Sequence, residues 1–329
     1  MLKGLYVLNQ EAFETLYPPE ARQAIGQLVD VPPVCHTAAE VTADPAVLND
    51  VDLIFSGWGC PVFTPELLEA APRLKAVFYA AGSIKYFVTD AFWERGIQVT
   101  SGYIANDIPV VMFALAEILL SLKRVWQHAA QYRQTHTMER LPVPGTYRAT
   151  IGIVSLGAIG RRVVQALRPF EFTLLAYDPY VSPEEGRALG VEMLSLEEIF
   201  KRADVVSLHT PWLKETVGLI TGEHLASMKP NSTLINTARG AVVRQDEMLA
   251  VLAQRPDLFA VLDVVYPEPP DPESPLFSLP NLWLTPHIAG PVGAECARNG
   301  QFMLEELQRY LAGQPMQYAI TRERAAIMA

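Results

Sequence analysis

Residues 150 to 178, TIGIVSLGAIGRRVVQALRPFEFTLLAYD, constrain this chain more than any other stretch. The apolar run Ile151 to Val154 has the character of a buried parallel strand. Ser155-Leu156-Gly157-Ala158-Ile159-Gly160 follows, and then a helix-period segment carrying Val163, Val164 and Leu167. A second apolar run, Phe172 to Tyr177, ends on Asp178. Strand, glycine turn, helix, strand and acid within about thirty residues is the layout of a dinucleotide-binding βαβ unit. A phosphate can lie on the backbone N–H groups of the helix's first turn, where the dipole also favours negative charge. Asp178, 178 − 160 = 18 residues past the last glycine, is spaced to accept hydrogen bonds from the adenine ribose. Ser155 stands where the first glycine of GxGxxG belongs. Either it adopts the dihedral angles of the tight turn or the turn differs there.

A chain of 329 residues is long enough for about two domains. With half its residues hydrophobic and 19% charged, it can bury sizeable cores. A net charge of −10 argues against nucleic acid or an anionic membrane as the main partner. Cys35, Cys60 and Cys296 are scattered and odd in number, so neither a disulfide framework nor a metal site is expected, and a reducing cytoplasm is the simplest home. Met1 to Gly4 runs straight into a strand-like segment without the apolar stretch of a secretory leader. The apolar segment Val110 to Leu122 contains Glu117 and reads as a core helix.

Taken in order, Leu5–Leu8, Asp52–Phe55, Lys75–Tyr79 and Gln98–Thr100 read as strands. Helices are expected over Glu11–Leu16, from Pro65, and around Thr89–Glu94. This is a small α/β unit whose loops 56–61 and 80–84 follow strands, where ligands of open α/β sheets sit. One long helix is expected from Ile108 to Arg133, then an interaction arm over 133–147. Strands at Val205–Leu208, Thr233–Asn236, Phe259–Asp263 and Trp283–Leu284 then alternate with helices near Leu196–Lys201, Gly222–Met228 and Gln245–Gln254. That alternation implies an α/β fold with a doubly wound parallel sheet. The proline-crowded stretch Tyr266 to Pro280 is a loop, and the last helix, Glu295 to Leu311, is expected to return to the N-terminal unit.

Three polar residues fall at strand ends in the second half: Arg239 in NTARG, Glu268 past the next strand, and His287 in LTPHIAG. Each alone has an ordinary reading, as a helix cap, a solvated loop acid and a structural hydrogen-bonder. Together they are complementary. A planar guanidinium can hold a 2-keto acid by its carboxylate and carbonyl oxygen. An imidazole can protonate that oxygen as hydride reaches the carbon, and a carboxylate on its other nitrogen fixes the tautomer and favours the imidazolium.

With IGIVSLGAIGR, VVSLHTPWLKETVGLI, MKPNSTLINTARGAVV, AVLDVVYPEP and LWLTPHIAG in this order, the sequence resembles the D-isomer-specific 2-hydroxyacid dehydrogenases over nearly its whole length. The resemblance implies a Rossmann domain over 105–293 and a smaller flavodoxin-like substrate domain over 1–104 and 294–329, with a cleft between them. It implies substrate binding by Arg239, proton transfer by His287, and tuning of the histidine by Glu268. Ser155, Gly157, Ala158, Ile159 and Gly160 would surround the pyrophosphate, and Asp178 the ribose. His209, Thr210, Pro211 and Thr216 would line the adenine side; Thr237, Ala238, Asp263 and His287 would meet the nicotinamide. Backbone N–H groups of Ala81, Gly82 and Ser83 would hold the substrate carboxylate, with Trp58 shaping the pocket. Tyr79 and Tyr103 are further pocket candidates, Tyr79 equally a core residue. A homodimer through the long helix 108–133 and the arm 133–147 is also implied.

This sequence departs from the family pattern at Ser155, at Met112, where an acid is usual, and at Trp212, where leucine is usual. Asp178 would repel a 2′-phosphate, and Pro179 and Tyr180 offer it no cation, so NAD is the expected cofactor. The expected activity is NAD-dependent hydride transfer between the nicotinamide and a D-2-hydroxy or 2-keto acid. The rival readings are an NAD(H)-sensing, corepressor-like protein on the same fold, and an oxidoreductase of another small acid such as phosphite.

Overall fold

The computed structural model describes residues 1–327; residues 328 and 329, the end of the expected 294–329 segment, lie outside the described residues. The chain divides into two compact units, Met1–Asp107 with Pro291–Ala329, and Ile108–Gly290.

In the first unit β1 (Gly4–Val7), β2 (Cys35–His36), β3 (Leu53–Ser56), β4 (Ala76–Tyr79) and β5 (Gln98–Ser101) form a wholly parallel sheet in the order β2-β1-β3-β4-β5. This is the flavodoxin-like strand order. Alternation along each strand fills two cores. Val7, Ile54, Val77 and Val99 face one side, and Tyr6, Phe55 and Phe78 face the other. The second face is closed by Met303, Leu304 and Leu307 of the helix Cys296–Leu311. Gly300 lets that helix approach, since a Cβ there would lie 1.8 Å from the Leu16 carbonyl oxygen. Tyr79 is buried in the core, which decides between the two readings the sequence left open for it.

In the second unit β6 (Thr150–Val154), β7 (Thr173–Tyr177), β8 (Glu192–Met193), β9 (Val205–Leu208), β10 (Thr233–Asn236), β11 (Phe259–Leu262) and β12 (Leu282–Leu284) form a second parallel sheet, ordered β12-β11-β10-β9-β6-β7-β8. Helices cover both faces, and the strand order reverses between β6 and β9, the crevice where doubly wound sheets bind ligands. Register carries this to the site. Val154 pairs with Tyr177 on one side and Leu208 on the other; Asn236 pairs with Leu208 and Leu262, and Leu262 with Leu284. Six strands therefore end level. The next residues, Ser155, Asp178, His209, Thr237, Asp263 and Thr285, form one row along the carboxyl edge.

The expected single helix from Ile108 to Arg133 is instead two, Tyr103–Leu122 and Val125–Thr135. Arg124 breaks it in a left-handed conformation, φ 48°. Its guanidinium turns inward to the Pro142 carbonyl at 3.0 Å and Asn231 Oδ1 at 2.6 Å. The break also lets Trp126 stack on Trp283, ring centroids 4.8 Å apart, and donate to buried Glu117 at 3.0 Å. The first helix is long and apolar enough to cross a membrane by composition alone, yet Ala114, Ile118 and Leu122 are fully buried in the protein core.

Candidate active site

The glycine turn is built as a dinucleotide cradle with one substitution. Ser155 has a left-handed backbone, φ 78°, a conformation that glycine adopts most readily. Its side chain is buried, with Oγ 3.1 Å from Thr210 Oγ1, so the hydroxyl links the exits of β6 and β9. Gly160 is required by packing: a Cβ there would lie 2.1 Å from the Ser155 carbonyl oxygen. The helix Ala158–Leu167 begins at Gly157 with no side-chain cap, leaving first-turn N–H groups for an anion. A Cβ on Gly157 would meet nothing within 4 Å, so a ligand can approach its backbone closely. Asp178 accepts the Leu156 N–H at 2.7 Å and the Tyr180 N–H at 2.8 Å, which fixes its carboxylate at the end of β7. Two carboxylate oxygens retain lone pairs beyond those two bonds for ribose hydroxyls. These features fit the adenosine and pyrophosphate of a dinucleotide.

On the other side of the crevice, His209 is buried with its ring 3.1 Å from Ser207 Oγ. Burial pushes the imidazole down to about 4, so it is neutral near pH 7. Thr216 folds its own loop, its hydroxyl donating to the Pro211 carbonyl at 2.6 Å and accepting the Leu213 N–H at 2.8 Å. Thr237 Oγ1 is buried with no protein partner, a polar atom a bound ligand can satisfy.

The NTARG turn is pegged by Asn236, whose Oδ1 accepts the Ala238 N–H and whose Nδ2 donates to the Arg239 carbonyl, both at 3.0 Å. Gly240 packs against the exit of β11 so tightly that a Cβ would lie 2.0 Å from the Val265 carbonyl carbon. Arg239 is held between, Nη1 on the Ala238 carbonyl at 2.6 Å. Burial lowers its pKa from the usual guanidinium value, and the Glu268 charge opposes that shift. Glu268 also meets His287, Oε1 to Nδ1 at 2.7 Å, with both side chains partly open to solvent. One carboxylate thus acts on both the guanidinium and the imidazole.

His287 is a left-handed non-glycine residue, φ 55°. Asp263 holds its loop: Oδ1 accepts from Thr285 Oγ1 at 2.6 Å and the Ile288 N–H at 2.8 Å, and Oδ2 accepts the Ala289 N–H at 2.8 Å. Arg239, Glu268, His287 and Asp263 therefore stand together on the second unit's sheet edge.

Trp58, Ala81, Gly82 and Ser83 belong to the first unit, at the exits of β3 and β4. Ser101 Oγ donates to the carbonyls of Ala81 at 2.8 Å and Gly82 at 2.6 Å. Because trans peptides point N–H opposite to C=O, the Gly82 and Ser83 N–H groups face away from that hydroxyl. Asn236, Thr285 and Ser101 were not singled out from sequence. Only Asn236 carried a signal, an asparagine at a strand exit, where side-chain turns are common.

Residues 115–289, more than half of the chain, match the family described as D-isomer specific 2-hydroxyacid dehydrogenase, NAD binding domain. A D-3-phosphoglycerate dehydrogenase of Mycobacterium tuberculosis is 36% identical over 251 residues, which are 76% of this chain and 47% of that protein. The chain thus spans about half the length of such relatives. A glyoxylate reductase of Korarchaeum cryptofilum is 33% identical over 274 residues, 81% of this chain and 82% of that protein. The apo D-mandelate dehydrogenase of Rhodotorula graminis shares the fold with a TM-score of 0.81, 24% identity and 98% coverage of each chain. The cofactor of the matched domain is NAD, in keeping with Asp178 and the uncapped helix beside it. The chain belongs to the D-isomer specific 2-hydroxyacid dehydrogenase family.

Proposed function

We propose that the protein reduces a 2-keto acid to the D-2-hydroxy acid with NADH, or runs the reverse oxidation. The observation that carries this is the 2.7 Å bond between Glu268 and His287 beside Arg239, at the exits of neighbouring strands. Arg239 binds the substrate carboxylate and carbonyl oxygen as a planar fork. Glu268 takes Nδ1 of His287, so Nε2 is the nitrogen that delivers the proton to the carbonyl oxygen. The bound nicotinamide supplies the hydride to the carbonyl carbon. Asp263 and Thr237 lie on the nicotinamide side, and Asp178 at the ribose disfavours a 2′-phosphate.

NADH oxidation against a panel of 2-keto acids, glyoxylate among them, with 3-phosphoglycerate and NAD as the reverse arm, tests this reading. Turnover of at least one acid, abolished in His287→Ala with NADH binding retained, is expected. NADH binding without turnover of any acid would favour a sensing role instead, and better use of NADPH than NADH would overturn the role given to Asp178.

We also propose a homodimer through the helix Val125–Thr135 and the arm after it, which expose Tyr132, Met138 and Tyr147. The three cysteines are all free, which suits a cytoplasmic setting.

A further inference from the structure

Ser155 is held at three points where the exits of β6, β7 and β9 meet. Its N–H donates to the Tyr177 carbonyl at 2.7 Å, and its own carbonyl packs against Gly160, where a Cβ would lie 2.1 Å away. Its side chain reaches the other way, Oγ donating to Thr210 Oγ1 at 3.1 Å. Next to that bond the His209 N–H donates to the Val154 carbonyl at 2.9 Å, so backbone also joins the exits of β6 and β9. The strand order reverses between those two strands, and a dinucleotide lies over such a reversal. The hydroxyl pair is therefore part of the crevice floor.

The protons of the pair do not balance within the protein. Each hydroxyl has one to give, and Ser155 gives its proton to Thr210. The Thr210 proton has no acceptor among the described residues, although Thr210 is only 2% exposed. A buried hydroxyl proton left without an acceptor is costly, and a ligand oxygen in the crevice removes that cost.

The neighbours indicate which oxygen it is. The Asp178 carboxylate at the exit of β7 offers acceptors, which suit ribose hydroxyls. Thr210 and the uncapped first turn of the helix Ala158–Leu167 offer donors, which suit an oxygen that only accepts. We propose that Thr210 donates its proton to the phosphate of the cofactor's adenylate half. Ser155, where the fingerprint has glycine, is then a positioning residue that turns Thr210 toward that phosphate. The contact falls where the adenine side, lined by Thr210, adjoins the pyrophosphate side, lined by Ser155.

The inference rests on NAD binding, not on any keto acid, so it is read from affinity apart from turnover. Dissociation constants of NADH, AMP and adenosine, which lacks the phosphate, are measured by calorimetry or competition on the full chain. The variants are Thr210→Val, Thr210→Ser, Ser155→Gly and the double variant Ser155→Gly with Thr210→Val. Thr210→Val is expected to weaken NADH and AMP roughly tenfold, with adenosine unchanged. Thr210→Ser, which keeps the hydroxyl, recovers most of the affinity. Ser155→Gly weakens NADH and AMP roughly threefold alone and adds nothing in the double variant, because it acts through Thr210. Unchanged AMP binding in Thr210→Val overturns the proposal. So does equal weakening of AMP and adenosine, which would mark a general disturbance of the β9 exit. Additive effects in the double variant overturn the role given to Ser155. If Thr210→Val fails to fold, Ser155→Gly decides by the same comparison of AMP with adenosine.

Discussion

Asp263 holds His287 through the backbone: its carbonyl oxygen accepts the His287 N–H at 3.0 Å, while its carboxylate takes the N–H groups of Ile288 and Ala289. The residue at the end of β11 thus fixes the residue after β12 in a left-handed conformation that a non-glycine side chain rarely adopts. The family resemblance gives this aspartate to the nicotinamide; its hydrogen bonds in the protein give it a second task. In Asp263→Asn one amide NH2 replaces an acceptor and faces a backbone N–H. A loss of about 3 kcal/mol is expected, together with most turnover. Urea denaturation and kcat measured on the same preparation check it. A variant of wild-type stability would show that the loop is held by other contacts.

Gly240 sets how closely the Arg239 turn and the Glu268 loop approach. A methyl group there needs space now filled by the Val265 carbonyl, 2.0 to 2.1 Å away, and backbone cannot rotate aside as a side chain can. Gly240→Ala is expected to cost at least about 2 kcal/mol and to separate Arg239 from Glu268, lowering kcat/KM far more than NADH affinity. Equal stability in a thermal melt would contradict the close packing.

Much of this edge was readable in the sequence because its strands are short, buried apolar runs, and each ends on the polar residue that matters. Asp178, Asp263 and His287 follow such runs directly or within a few residues. What could not be read depended on partners distant in sequence. Apolar periodicity continues past Leu122 into Val125 and Trp126, so nothing local marks the break that Arg124 makes by reaching Pro142 and Asn231. β2 is only Cys35–His36, too short for an alternating pattern. Ser101 and Thr285 act through hydroxyl hydrogen bonds to partners distant in sequence, which leave no periodic trace.

Ser155 offers a separation of strain from bonding. At φ 78° any side chain is strained, by about 1 kcal/mol relative to glycine. The hydroxyl bond to Thr210 returns a similar amount. Ser155→Gly should therefore be near neutral, Ser155→Ala about 1 kcal/mol less stable, and Ser155→Val worse still. The order Gly ≈ Ser > Ala > Val in urea midpoints checks the argument. Alanine matching serine would mean the hydroxyl contributes nothing.

His209 makes stability depend on pH. Its folded value is depressed by burial to about 4 from the ordinary 6.5, so the unfolded chain binds the extra proton between those values. The stability linked to this group is fully present above pH 6.5 and lost as pH falls toward 4, about 3 kcal/mol in all. His209→Gln should flatten the decline of unfolding free energy between pH 7 and 4.5. An unchanged slope would mean the buried imidazole is not the group being charged.

Glu268 can be separated from His287 by comparing kcat and KM in their variants. In the proposed reduction His287 delivers the proton through Nε2, and the carboxylate 2.7 Å from Nδ1 fixes the tautomer and orientation of the ring. Glu268→Gln keeps the size and one acceptor oxygen but removes that charge. It is expected to lower kcat in both directions by about tenfold or more while NADH affinity is retained. His287→Ala, by contrast, should remove turnover in both directions altogether. Arg239 also feels the Glu268 charge, so KM for the keto acid is measured in parallel. A change in KM alone, with kcat unmoved, would assign Glu268 to the guanidinium and not to proton transfer.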